Sequence, residues 1–110
     1  MGGDRRWPLA DTLKVAQDLK ALLAPACERI EIAGSVRRRR PDVGDIELLC
    51  VPLPLLGADS LFATDALDLR LRTALGQDVL TLRPNVKGAV TYGPLNKLLV
   101  HRASGIPVDI

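Results

Sequence analysis

The sequence predicts a mixed α/β (α+β) domain, with helices packed on one sheet. Three observations predict it. Residues 9 to 23 repeat apolar side chains at helical spacing, residues 29 to 33 and 44 to 51 read as strands, and two further runs close the chain around a glycine turn. The composition agrees: 47% of the 110 residues are apolar, mostly Leu, Val, Ile and Ala, enough for a single core. With no internal repeat and no linker, residues 1–110 read as one domain.

The first helix runs from Leu9 to Leu23, on Leu9, Leu13, Ala16, Leu19, Leu22 and Leu23. Pro8 suits its start and Pro25 marks its end. Arg29 to Ala33 follows as a short strand with Ile30 and Ile32 on one face, and Gly34 and Ser35 break it. Val36 to Val43 is polar and punctuated by Pro41. Gly44 to Val51 is apolar almost throughout except at Asp45 and Glu47, which suits a central strand buried on both faces. After a connector from Pro52 to Gly57, Leu61, Ala66, Leu67, Leu71 and Leu75 mark a second helix over Ser60 to Leu75, closed by Gly76. A strand is expected from Asp78 to Leu82, then a loop from Pro84 to Pro94. Lys97 to Arg102 and Ile106 to Ile110 form a hairpin around Ala103-Ser104-Gly105.

Several functional classes are set aside by composition. The net charge of +2 supports no bulk polyelectrolyte attraction to nucleic acid, although Arg37 to Arg40 are consecutive. Cys27 and Cys50 lack metal-ligand spacing and read as free, buried thiols of a reducing compartment. The N-terminal stretch has no hydrophobic signal core, and Arg6 breaks the myristoylation pattern. The longest apolar run, Leu48 to Leu56, is short and carries Pro52 and Pro54, so no membrane span is expected. A cytoplasmic protein is the resulting expectation.

The chemistry concentrates in "GSVRRRRPDVGDIELL". On an extended strand, residues i and i+2 share a face roughly 6.5 to 7 Å apart. Asp45 and Glu47 would therefore project together. Two ionised carboxylates so close repel, and a divalent cation between them removes the repulsion. Oxygen-only ligands suit Mg²⁺ or Mn²⁺ rather than zinc. Asp109 lies between the apolar Val108 and Ile110, and completes the set if its strand pairs beside the acid-x-acid strand. Gly34 allows backbone N–H groups to approach a phosphate, and the Ser35 hydroxyl can donate to one. The bland alternatives are a solvent-facing strand edge, an ordinary turn and a solvated arginine loop.

Together these residues resemble the signature of the DNA polymerase beta-like (family X) nucleotidyltransferases: Gly-Ser, paired arginines, then Gly-Asp-x-acid on the next strand. "CERIEIAGSVRR" and "VGDIELL" are most similar to small phage- and bacteria-borne members. In these a Gly-Pro plus lysine segment precedes a Val-Asp strand, as do Gly93-Pro94, Lys97 and Val108-Asp109 here. The resemblance is strong over residues 27 to 51 and looser over 92 to 110.

The resemblance implies a polymerase beta palm-like fold and transfer of a nucleoside monophosphate from an NTP or dNTP to a hydroxyl, with a nucleic-acid end among the acceptors. Asp45, Glu47 and Asp109 would be the catalytic metal ligands. Gly34, Ser35, Arg38, Gly44 and Lys97 would be the nucleotide-binding residues, Ser35 and Arg38 on the β- and γ-phosphates. Three departures stand beside it. Position 47 is Glu where the family shows Asp, no helix-hairpin-helix segment for gripping a duplex is present, and the chain stops one residue after Asp109. The last point makes the domain minimal and C-terminally truncated as read. Two alternatives therefore stay open: a catalytically inactive nucleotide- or nucleic-acid-binding module, and an antitoxin-like interaction protein of the same fold. Such antitoxins usually space Gly-Ser differently from the first acid. The acceptor, the base preference and the oligomeric state are not legible.

Overall fold

The structure, a computed structural model, describes residues 5–57, 61, 63–84, 87–93 and 96–110. A two-residue strand β1 (Trp7–Pro8) leads into α1 (Leu9–Leu23), whose bounds are those the apolar spacing predicts. Pro8 presents its carbonyl to the Thr12 hydroxyl at 3.0 Å across the first turn. The helix buries Thr12, Ala16, Leu19 and Leu23, one stripe at three- and four-residue intervals. A 3-10 turn at Ala24–Ala26, with Pro25 inside it, ends the helix and delivers β2 (Cys27–Ala33).

Gly34 and Ser35 form more than a break: a single helical turn, α2 (Gly34–Arg37), follows β2 directly. β3 (Asp42–Val43) then pairs antiparallel with β1, a ladder that no local pattern announces. β4 (Ile46–Pro52) starts two residues later than expected, leaving Gly44 and Asp45 at its threshold. The second helix, α3 (Ala66–Gly76), also starts later, because Asp65 caps it by accepting the Asp68 N–H at 2.7 Å. The expected start at Ser60 lies outside the described residues. β5 (Leu80–Leu82) is shorter than expected, since Asp78, at φ +59°, belongs to the turn closing α3. β6 (Leu98–His101) and β7 (Pro107–Asp109) form the predicted hairpin, turned at Gly105.

The five-stranded sheet has the order β2-β4-β7-β6-β5, and β4–β7 is its parallel pair. Ile30, Ile46, Leu48, Leu80, Leu99 and Val108 face one side and form one core with Leu19 and Leu23 of α1 and Leu67 and Leu71 of α3. Each fully buried leucine there contributes roughly 1.5–3 kcal/mol. The expectation that the acid-bearing strand is buried on both faces is corrected. β4 is central, but Leu49 is 62% and Val51 47% exposed. Both long helices cover the same side, and among the described residues no helix covers the other face. Among the described residues, no helix is long and apolar enough to cross a membrane.

Candidate metal and phosphate site on the open sheet face

The alternation that buries Ile46, Leu48 and Val108 turns Glu47 and Asp109 to the uncovered face. In the parallel register Ile46 lies beside Val108 and Glu47 beside Asp109. The two acids, 62 residues apart in sequence, are thus side by side across one strand pair. β7 is held on both sides, by β4 and by β6, and Ile110 exchanges backbone hydrogen bonds with Lys97 at 2.8 and 2.9 Å. Asp45 stands just before β4. Burial, and then the charge of Asp109, push its carboxyl above the ordinary value, against the pull of Arg83 and Arg6.

The Gly-Ser turn comes to the same place. Ala33 pairs with Glu47, so the chain leaves β2 against that side chain. Gly34 has φ +65°, and a Cβ built there would lie 2.6 Å from the Glu47 Oε2 atom. The left-handed backbone favours glycine, and any Cβ there would have to displace the Glu47 side chain. The Arg38 N–H donates to the Gly34 carbonyl at 3.1 Å, and its guanidinium donates to the Ser35 hydroxyl at 3.4 Å. Gly34, Ser35 and Arg38 thus form one compact turn at the edge of the acids. Arg37, Arg39 and Arg40 are exposed beyond it.

Gly44 approaches Arg6, whose guanidinium pairs with Asp42 at 2.9 Å. Arg83, immediately after β5, forms an ion pair with Asp109, and its N–H donates to the Leu98 carbonyl at 3.1 Å. Neither Arg6 nor Arg83 stands out in the sequence. Their roles depend on which strands end together, and no spacing rule reports that.

Lys97 is not part of this cluster. Leu98 pairs with Asp109, so its neighbour Lys97 points to the opposite, core-facing side and is buried. Its ammonium donates to the Gly93 carbonyl at 2.7 Å and lies 5.4 Å from the Tyr92 ring. Pro94, the other half of the Gly-Pro pair, lies outside the described residues. Nearby, Tyr92 donates to the buried Asp68, which also accepts from Thr64 and Arg72. Burial works against the Asp68 charge, but the Tyr92, Thr64 and Arg72 hydrogen bonds prevail and hold its carboxyl below the ordinary value.

The donor set is all carboxylate oxygen, which matches a hard divalent cation. As the side chains stand, no group of three His, Cys, Asp or Glu closes into a metal site among the described residues. Asp109 is engaged by Arg83, and the Glu47 carboxylate lies close to Gly34. In comparisons with family models, curated proteins and solved structures, none matches this chain.

Proposed function

We propose that this chain is a minimal nucleotidyltransferase domain of the polymerase beta-like kind, moving a nucleoside monophosphate from an NTP or dNTP to a hydroxyl. One observation carries the reading: Glu47 and Asp109 lie side by side on one sheet face, with Asp45 within reach of the Asp109 charge and the Gly34–Ser35 turn against Glu47. Asp45, Glu47 and Asp109 would hold Mg²⁺ or Mn²⁺, which when bound supplies charge stabilisation to the entering and leaving oxygens of an in-line displacement. The Gly34–Ser35 turn and Arg38 would receive the β- and γ-phosphates, since the exposed guanidinium and the hydroxyl can both donate to phosphate oxygens. Asp109, at the end of β7 away from the hairpin turn, would belong to the metal that activates the attacking hydroxyl.

The reading is tested by incubating the chain with α-phosphate-labelled NTPs and dNTPs and Mn²⁺ or Mg²⁺, offering DNA ends, RNA ends and the protein itself as acceptors. Transfer of label by the native chain and its loss in Asp45→Asn is the expected outcome. Nucleotide binding without transfer to any acceptor would replace it with the binding-module reading. The pairing of Asp109 with Arg83 favours that second reading as long as the pair persists with nucleotide present.

A further inference from the structure

Of the three acids, only Asp109 has an ion-pair partner among the described residues; Asp45 and Glu47 have none. That partner is no loose surface arginine. The Arg83 and Asp109 side chains are 24% and 31% exposed, and the Arg83 backbone is anchored to Leu98, the residue paired with Asp109. One residue on the neighbouring strand therefore sets the position of both charges. Arg83 is also close enough to act on Asp45. A guanidinium is thus fixed against one acid of the set and lies within electrostatic reach of a second.

We propose that Arg83 is an internal counter-cation of the carboxylate centre, which holds Asp109 while no metal is bound and must release it before a divalent cation can bind. This rests on the reading of Asp45, Glu47 and Asp109 as metal ligands. Arg83 is a positioning residue: it acts through Asp109 and sets the threshold cation concentration at which the centre assembles. Two positive species compete for one carboxylate, so removing the fixed one strengthens binding of the other.

The test is a Mn²⁺ titration of the full chain without nucleotide, following the free-ion signal by electron paramagnetic resonance at constant ionic strength. Arg83→Gln is expected to tighten Mn²⁺ binding about tenfold, the scale of one partly screened charge pair. Arg83→Lys keeps the charge and is expected to retain most of the native competition. In an Asp109→Asn background, Arg83→Gln is expected to tighten binding clearly less than in the native chain, because the contact it breaks is already gone and only its longer-range action on Asp45 remains. Arg83→Met, which keeps the apolar stem, serves if the Gln variant does not fold. Unchanged affinity in Arg83→Gln, or equal tightening with and without Asp109, overturns the counter-cation role while leaving the metal centre standing. Absence of Mn²⁺ binding in both the native chain and Arg83→Gln overturns the metal reading and this inference together.

Discussion

Gly34→Ala separates the two demands made on that residue. The first is backbone: at φ +65°, an alanine pays the left-handed penalty, about 1–2 kcal/mol. The second is the new methyl, which would sit 2.6 Å from Glu47 Oε2 and 2.7 Å from its Cδ. Those atoms are the far end of an exposed, flexible side chain, so Glu47 swings away and adds less than about 0.5 kcal/mol. Gly105 is the control. It has φ +78° but nothing within 4 Å of its would-be Cβ, so Gly105→Ala reports the backbone term alone. Urea unfolding is expected to give both variants similar losses of about 1–2 kcal/mol. Only Gly34→Ala is expected to weaken Mn²⁺ binding, because only there is a proposed ligand displaced. Adding Glu47→Asp shortens the side chain by one methylene and is expected to recover part of that binding. A Gly34→Ala loss near 4 kcal/mol would mean that Glu47 cannot yield, and an unchanged Mn²⁺ affinity would mean that its place beside Gly34 is immaterial to the site.

Further expectations follow from three titratable groups. Asp68→Ala leaves the Tyr92 hydroxyl, the Thr64 N–H and the Arg72 guanidinium without their shared acceptor and should cost about 2–4 kcal/mol in urea unfolding. Because the folded-state Asp68 carboxyl is held below its ordinary value of 3.8, its stabilisation is complete above that pH and lost as pH falls through the lower folded value; Asp68→Asn should flatten the acid limb of the stability profile. Asp45 has the opposite sign. Its raised value means that ionisation costs stability at neutral pH and that the cost fades as pH falls through the folded value, so Asp45→Asn should gain less than about 1 kcal/mol at pH 7, after allowance for solvent screening, and nothing once both forms are neutral. Cys50, pushed up to about 12 by burial and then by Cys27, should resist iodoacetamide at pH 8 in the native chain and react on unfolding, read by mass spectrometry.

The elements legible in the sequence are those whose signal is local. α1 has the expected bounds, and Ala16, Leu19 and Leu23 of its apolar stripe are buried. Leu9, Leu13 and Leu22 are partly buried, and Thr12, which the stripe omitted, is buried with the first three. The hairpin of β6 and β7 is legible for the same reason, because a Gly turn at positive φ joins two apolar runs. α3 is misplaced at its start because the apolar count cannot see that the Asp65 side chain caps the Asp68 N–H. β1 and β3 are invisible because two-residue strands have no period, and their partner supplies the reason they are extended. The two-sided burial expected of β4 fails on a tertiary fact. Leu49 and Val51 look like core residues in sequence, but both long helices pack on the opposite face.

The site divides along the same line. Gly34, Ser35, Asp45 and Glu47 lie within 14 consecutive residues, and one antiparallel pair, β2 with β4, brings them together. Asp109 requires one more step, the parallel pairing of β7 with β4, which an isolated acid between apolar neighbours suggests but does not establish by itself. Lys97 shows how little separates inclusion from exclusion, since the residue next to it in β6 faces Asp109 and a one-residue shift reverses the face. Arg83 requires the whole sheet order, because β5 reaches Asp109 only across β6. On the proposed reading, its ion pair is also the contact that would distinguish a resting centre from a loaded one. The carboxylates can be read from a motif, but the charge paired with Asp109 comes from a residue outside every motif, and on the proposed reading metal affinity would depend on both.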